Sequence, residues 1–213
     1  MQIIPAIIGE NFQEIKEKLE KVKGLSEWVQ IDVVDGIFAT PASWGARIGD
    51  NLHLWEPEVL PKIEMHLMVQ RPSAWLDDWA SASVDRVLIH YESDGDKAAL
   101  LKRVKELGSQ VGMVLKLETP IEVLEPYMKD LDAVELMSIE TIGSYGASFE
   151  EATLEKISHL RKKYPNVIIE VDGGVNLENA KKIISAGANN LVIGSAIWKA
   201  GDVKGAIENF KAM

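Results

Sequence analysis

Short apolar runs alternate with amphipathic stretches along the whole chain, and this alternation predicts strands that are joined by helices. In the first pair, an apolar run over 2–8 precedes a stretch over 12–23 in which Ile15, Leu19 and Val22 recur at helical spacing. The pattern repeats eight times, which predicts an α/β fold, a closed (β/α)8 TIM barrel. The predicted strands cover 2–8, 28–36 with its closing turn, 62–69, 86–90, 110–115, 133–137, 167–171 and 190–193. Among the predicted helices, one covers 121–128 and another runs from Leu177 to Ala186, with Asn176 as its cap.

The second predicted strand carries a carboxylate toward the barrel interior. Side chains alternate between the faces of a strand, so Gln30, Asp32 and Val34 share one face and three apolar residues share the other. This pattern suits a strand that packs against helices outside and lines a polar site inside. In such barrels the active site lies at the C-terminal strand ends. The polar residues expected at those ends are Asp32, His66, His90, Lys116, Ser138, Asp172 and Ser195.

Length and composition narrow the classes of function. The 213 residues are expected to form a single domain over 1–213. A formal net charge of −10 argues against a nucleic-acid partner, because phosphate backbones are bound by basic surfaces. The chain contains no cysteine, which excludes disulfides, and its N-terminal apolar run is too short for a membrane span. We therefore expect a cytoplasmic protein without a membrane partner.

Two glycine-bearing turns predict a site for a phosphorylated ligand. Gly173-Gly174 follows the seventh predicted strand, and Gly194-Ser195 follows the eighth. Glycine allows backbone N–H groups to approach an anion closely, and these two loops commonly bind phosphate in TIM barrels. Either pair alone is explained equally well as an ordinary turn, so the prediction of a phosphate site depends on both pairs occurring together.

Three residues on neighbouring strands are candidate metal ligands. Asp32, His66 and Asp172 could converge on one divalent cation through carboxylate oxygens and an imidazole nitrogen. Taken singly, a histidine near a strand end is more often a hydrogen-bonded core residue, and Asp172 would equally serve as a turn cap. Together they are less easily explained as structural residues, because a buried carboxylate must be paired or bound to a metal.

A series of motifs covers nearly the whole chain and resembles one family, the ribulose-phosphate 3-epimerases. The motifs are Gln30-Ile31-Asp32-Val33-Val34-Asp35-Gly36, His66-Leu67-Met68-Val69, His90-Tyr91-Glu92, Lys116-Leu117-Glu118-Thr119-Pro120, Leu136-Met137-Ser138, Glu170-Val171-Asp172-Gly173-Gly174-Val175 and Gly194-Ser195-Ala196-Ile197. The resemblance implies that Asp32 and Asp172 are the two acid/base residues and metal ligands. It also implies that His66 is a third ligand close to the substrate, and that Gly146 contacts phosphate.

The chain departs from the family pattern at several positions. Ala6 stands in place of a serine, Val34 stands in place of a methionine, and two further changes bear on metal and phosphate binding. The first metal ligand of the family is a histidine, and Gln30 stands at that position here. An amide oxygen is a poorer ligand for Zn or Fe than an imidazole, so metal affinity should fall, or the preferred divalent metal should shift toward Mn or Mg. The loop after the sixth strand, Asn-Pro-Gly-Phe-Gly-Gly-Gln in the family, is replaced by residues 140–148, which include an acidic Glu140.

The reaction implied by the resemblance is inversion of carbon 3 in a ketose phosphate, D-ribulose 5-phosphate to D-xylulose 5-phosphate. Two carboxylates suit it, since one removes the proton beside the carbonyl and the other returns a proton to the opposite face. Two alternatives remain. One is an epimerase of another sugar phosphate, such as a hexulose 6-phosphate, with a pocket reshaped by the changed loop and by the irregular segment containing Trp44 and Trp55. The other is a sugar-phosphate-binding barrel without turnover.

The oligomeric state is left open by the sequence. Members of the family are commonly homo-oligomers, and Trp44, Trp55 and Trp75 are expected to be exposed and available for a contact. A tryptophan is as often half-buried in its own domain, so this pattern alone does not predict an interface.

Overall fold

The computed structural model describes residues 1–46, 50, 61–80 and 84–213, and its strands close into one parallel barrel. Each strand pairs with the next along the chain, and β1 pairs with β8. This arrangement confirms the predicted barrel. The strands are β1 Gln2–Ile7, β2 Trp28–Val34, β3 Lys62–Met68, β4 Arg86–His90, β5 Gln110–Leu115, β6 Ala133–Met137, β7 Ile168–Asp172 and β8 Asn190–Ile193.

The helices lie on the outside of the barrel and bury one face each. In α1 the cap residue Asn11 accepts a hydrogen bond from the Glu14 N–H at 3.1 Å, and Ile15, Leu19 and Val22 are buried against the strands. The described helices are α1 Phe12–Val22, α2 Leu76–Ala80, α3 Lys97–Glu106, α4 Ala152–Lys163, α5 Ala180–Ala186, α6 Ser195–Trp198 and α7 Val203–Lys211.

Two predicted helices differ from the structure. The helix expected over 121–128 is only a 3₁₀-helix, Ile121–Leu124, because Pro126 cannot donate a backbone hydrogen bond and would clash with a preceding carbonyl. The helix expected from Leu177 begins at Ala180 instead. The Asn176 side chain accepts from the N–H groups of Glu178 and Asn179, so it caps the turn before α5 rather than the helix itself.

The alternation predicted for β2 is confirmed. Val29, Ile31 and Val33 belong to the large apolar core between strands and helices. Gln30 and Asp32 are also buried, and their hydrogen bonds join side chains of β3 and β7 inside the barrel. The sequence therefore separates an apolar outer core from a barrel interior that contains these polar side chains.

The barrel interior contains more charge than predicted. Glu64, Arg86, Glu135 and Glu170 are buried there, at exposures of 3% or less, and none of them lies at the C-terminal end of its strand. The sequence pattern predicted polar side chains only at the C-terminal strand ends, and these four deeper residues were not predicted. These residues have the same strand parity as the site residues His66, Met137 and Asp172, so they point to the same side of the sheet.

The expected exposure of Trp44 is also wrong. Its side chain is 4% exposed and packs edge-on against Trp79, with ring centroids 5.5 Å apart. Trp75 is half-buried, and Trp55 lies outside the described residues. No helix in the described ranges is long and apolar enough to cross a membrane.

Candidate active site

Two aspartates from different strands meet at the C-terminal end of the barrel. Asp32 lies on β2 and Asp172 is the last residue of β7, and each is less than a tenth exposed. The Gln30 amide joins them, because its Nε2 donates to Asp32 Oδ1 at 2.8 Å and to Asp172 Oδ2 at 3.1 Å. The same nitrogen lies 3.1 Å from His66 Nδ1. The structure thus brings the four predicted ligand positions together.

His66 lies beneath the aspartates and is fully buried. Its Nδ1 is 3.3 Å from Asp32 Oδ1 and 3.5 Å from Asp172 Oδ2. Its Nε2 is 2.9 Å from His90 Nε2, and His90 Nδ1 is 3.1 Å from Glu92 Oε2. The Lys116 N–H and the Thr119 hydroxyl donate to the other oxygen of Glu92. A hydrogen-bonded row of side chains therefore fixes the His66 ring and leaves Nδ1 facing the carboxylates.

The charges of these groups depend on each other. Burial raises the pKa of Asp32, and the neighbouring Asp172 charge adds to this effect, while His66 and Gln30 oppose it. Burial alone would lower the pKa of His66, but Glu135, Asp172 and Asp32 together hold it well above its usual value. Burial, assisted by the nearby His66, lowers the pKa of His90 to about 4, against the opposing effect of Glu92. The pKa of His66 is thus raised, while that of the adjoining His90 is lowered.

The donor atoms in this site suit a divalent metal. Asp32, His66 and Asp172 each offer one ligand atom, and these three atoms lie within 4.8 Å of one another. Gln30 Oε1 is buried without a hydrogen bond among the described residues, while Nε2 faces the carboxylates. Turning the amide about its last bond exchanges two atoms of similar size and would place an oxygen ligand among the other three. The four residues therefore fit a cation.

A cavity opens above the aspartates and is lined by the predicted phosphate-binding residues. Gly146, Gly173, Gly174, Gly194 and Ser195 all line it, together with Asp32 and Asp172. Met68, Met137 and Ala6 complete the wall near the carboxylates. The structure therefore brings the carboxylates and the glycine turns to one cavity, which buried His66 does not line.

The glycines of this cavity are required by close packing. Gly174 has φ +65°, and a Cβ there would lie 2.4 Å from the Phe149 backbone nitrogen. A Cβ at Gly194 would lie 2.6 Å from a ring carbon of Tyr145. No side chain fits at either position, and both glycines line the cavity.

Tyr145 ties the changed loop after β6 to the first strand. Its hydroxyl donates to the Ala6 carbonyl at 2.9 Å and accepts from the Ile8 N–H at 3.0 Å. On the other side, the Ser138 hydroxyl donates to the carbonyls of Asp172 at 2.9 Å and Gly173 at 2.6 Å. The loop is thereby held against the ends of β1 and β7, next to both aspartates.

The sequence did not predict that Gln30 is the central hydrogen-bond donor of the site. It also did not predict that the interior glutamates lie next to the site; these are Glu64, Glu135 and Glu170. Glu135 Oε1 lies 3.3 Å from His66 Nδ1. The signal was present in the strand alternation, since each glutamate lies two positions before an inward-facing residue. Applying the alternation to β3, β6 and β7 as well as β2 would have found them.

Comparisons with known proteins agree with the geometry. The Ribulose-phosphate 3 epimerase family model matches residues 2–198. The chloroplastic ribulose-5-phosphate-3-epimerase of Arabidopsis thaliana is 36% identical over 99% of this chain and 76% of its own length. The ribulose-phosphate 3-epimerase of Bacillus subtilis is 33% identical over 99% of this chain and 98% of its own length. The crystal structure of 3-hexulose-6-phosphate synthase from Salmonella typhimurium superposes with a TM-score of 0.70 at 16% sequence identity. The match covers 100% of this chain and 97% of the synthase chain, which indicates a shared fold.

Proposed function

Since the chain belongs to the ribulose-phosphate 3-epimerase family, we propose that it interconverts D-ribulose 5-phosphate and D-xylulose 5-phosphate by inverting carbon 3. One observation carries the proposal. Asp32 and Asp172 approach the same cavity from different strands, and both line it together with the glycine turns that would bind phosphate.

The two carboxylates act as the bases on opposite faces of the substrate. One, as a carboxylate, accepts the proton from carbon 3 beside the carbonyl, while the other, as a carboxylic acid, donates its proton to the opposite face of the planar intermediate. Before a metal binds, Gln30 holds the two groups in fixed relation, because its amide nitrogen donates to both. Met68 and Met137 line the cavity next to them and reduce the access of water to the reacting carbon.

A divalent metal fits the same residues. Asp32, His66 and Asp172 would hold it, with Gln30 supplying an amide oxygen after its amide turns. When bound, such an ion stabilises the negative charge that develops on the substrate oxygens. Three oxygen donors and one imidazole favour Mn or Mg over Zn or Fe.

The substrate phosphate is bound by the backbone at Gly146, Gly173, Gly174, Gly194 and Ser195. Peptide N–H groups in glycine turns bind anions without a fixed charge, which suits a chain with a net charge of −10. A cation is also close, because Lys199 Nζ lies 3.3 Å from the position that a Cβ at Gly146 would occupy.

The test is exchange of the carbon 3 proton with deuterated water, followed by NMR on D-ribulose 5-phosphate with and without added Mn. We expect metal-stimulated exchange together with formation of D-xylulose 5-phosphate. Exchange on a hexulose 6-phosphate but not on the pentulose would favour the first alternative from the sequence. Phosphate-ester binding without exchange under any metal would favour the non-catalytic barrel.

We also infer that the chain acts as a single domain in the cytoplasm. The motifs of one family span residues 2–198, which supports one domain. Light scattering of the purified chain would establish whether it is a homo-oligomer.

A further inference from the structure

A second acidic cluster, Glu64, Glu135 and Glu170, lies below the proposed active site and takes no part in the epimerisation. The three side chains come from β3, β6 and β7, and each is 0% exposed. One carboxylate oxygen from each lies within 4.8 Å of the others. Each glutamate precedes His66, Met137 or Asp172 by two residues, so the cluster is one layer deeper in the barrel.

Arg86 neutralises only part of this charge. Its Nη1 donates to Glu64 Oε2 at 2.9 Å and to Glu170 Oε1 at 2.7 Å. The Asn190 side chain donates to the same oxygen of Glu170 at 2.7 Å. Three carboxylates and one guanidinium leave two negative charges when all the glutamates are ionised.

Several oxygens of the cluster have no donor. Glu64 Oε1, Glu170 Oε2 and both oxygens of Glu135 are buried without a hydrogen bond from any residue that the structure describes. The Glu135 side chain is thus fully buried and unpartnered, apart from His66 Nδ1 at 3.3 Å from its Oε1. Buried carboxylates are tolerated when they are paired or bind a metal, so the unpartnered oxygens require an explanation.

We propose that Glu64, Glu135 and Glu170 form a second cation site, which binds a hard divalent ion such as Mn²⁺ or Mg²⁺ through oxygen atoms alone. Carboxylate oxygens are the preferred ligands of these ions, and a double positive charge balances the charge that Arg86 leaves. The site is distinct from that of Asp32, His66 and Asp172, which contains an imidazole nitrogen. The contact between Glu135 and His66 makes the two sites adjacent.

Protons are the competing explanation. Burial, followed by repulsion from neighbouring carboxylates, raises the pKa of Glu64 and of Glu135 well above the usual range, although positively charged neighbours oppose this. Two protonated glutamates would remove the same charge as one divalent ion. The number of bound ions distinguishes the two explanations.

The experiment counts Mn²⁺ bound to the full-length chain. Protein is produced in cells grown with Mn²⁺, because the cluster is fully buried, and is then equilibrated with saturating Mn²⁺ before elemental analysis. Wild type should bind two ions per chain, and Glu135→Gln, which removes one carboxylate with little change in shape, should bind one. Glu122→Gln, at an exposed position outside the barrel, is the matched control and should bind two.

Electron paramagnetic resonance gives a second readout, since two adjacent Mn²⁺ ions broaden each other's signals and a single ion does not. Asp172→Asn should weaken the upper site and keep the ion of the cluster. A wild-type count of zero, or a single ion that Glu135→Gln keeps, overturns the proposal. A count of two in Glu135→Gln, or the loss of both ions in Asp172→Asn, also contradicts it. None of these counts depends on epimerase turnover.

Discussion

At the scale of single residues, Asp172 is the side chain that tests the two-base chemistry most directly. Asp172→Asn keeps the shape of the group and can still accept the Gln30 hydrogen bond, so the barrel should fold normally. The variant cannot accept the substrate proton, and we expect kcat to fall by roughly 10²–10⁴-fold. Conversion of D-ribulose 5-phosphate measures this loss. As a control, the substitution Asp130→Asn on the barrel exterior should leave kcat unchanged. Near-normal turnover of Asp172→Asn would exclude Asp172 as one of the two acid/base residues.

Gln30 is the residue that should set metal affinity. Its terminal nitrogen lies among Asp32, His66 and Asp172, where an imidazole would be a better ligand than an amide oxygen. Gln30→His should therefore strengthen Zn²⁺ binding at least about tenfold, which corresponds to about 1.4 kcal/mol. Calorimetric titration gives the affinity, with Gln70→His outside the barrel as the control. Equal or weaker binding in Gln30→His would show that position 30 is not a ligand position.

At the scale of elements, the strands were predicted well and the helices less well. A buried parallel strand is a short apolar run bounded by turns, and β4, β5, β6 and β8 begin and end at the predicted residues. Helix positions depend on local chemistry that the periodicity does not contain. Pro126 limits the segment after β5 to a 3₁₀-helix, and the Asn176 turn moves the start of α5 to Ala180.

The loop after β6 offers a test at this scale. Tyr145→Phe removes the hydroxyl that bonds the Ala6 carbonyl and the Ile8 N–H, and so releases the loop from β1. Leaving these backbone groups without a partner should lower the free energy of unfolding by about 1–3 kcal/mol. Because Gly146 lies in the same loop, KM for the sugar phosphate should rise more than kcat falls. Denaturant unfolding and steady-state kinetics measure both effects, with Tyr127→Phe as control. Unchanged KM would place phosphate binding elsewhere.

At the scale of the whole molecule, the barrel combines a large negative charge with a polar interior that the sequence did not fully predict. The residues that line the cavity were found from motifs, because glycine turns and strand-end carboxylates occur at recognisable places. The interior glutamates were missed because they lie in the middle of apolar runs, as in Ala133-Val134-Glu135-Leu136-Met137. Their arrangement depends on which strands meet across the barrel, and that is a property of the closed sheet rather than of any one segment.

The stability of the fold in acid depends on carboxylates that accept hydrogen bonds from neighbouring segments of the chain. Glu92 is the clearest case. Burial alone would raise its pKa, but hydrogen bonds from His90, Thr119 and the Lys116 N–H outweigh this and lower the pKa to about 2, from an ordinary 4.5. The folded state therefore binds fewer protons than the unfolded state between these two values. The stabilisation from Glu92 is fully present above pH 4.5 and is lost as the pH falls through about 2.

We expect this contribution to be on the order of 2 kcal/mol after allowance for the part of the side chain that solvent screens. Glu92→Gln should be less stable than wild type at pH 7, and the difference in free energy of unfolding should shrink as the pH falls below 4.5. Glu118→Gln, an exposed neighbour after β5, should show no such convergence. Urea unfolding at several pH values measures the difference. If the Glu92→Gln difference is independent of pH, the carboxylate does not link β4 to the Lys116–Thr119 segment through its charge.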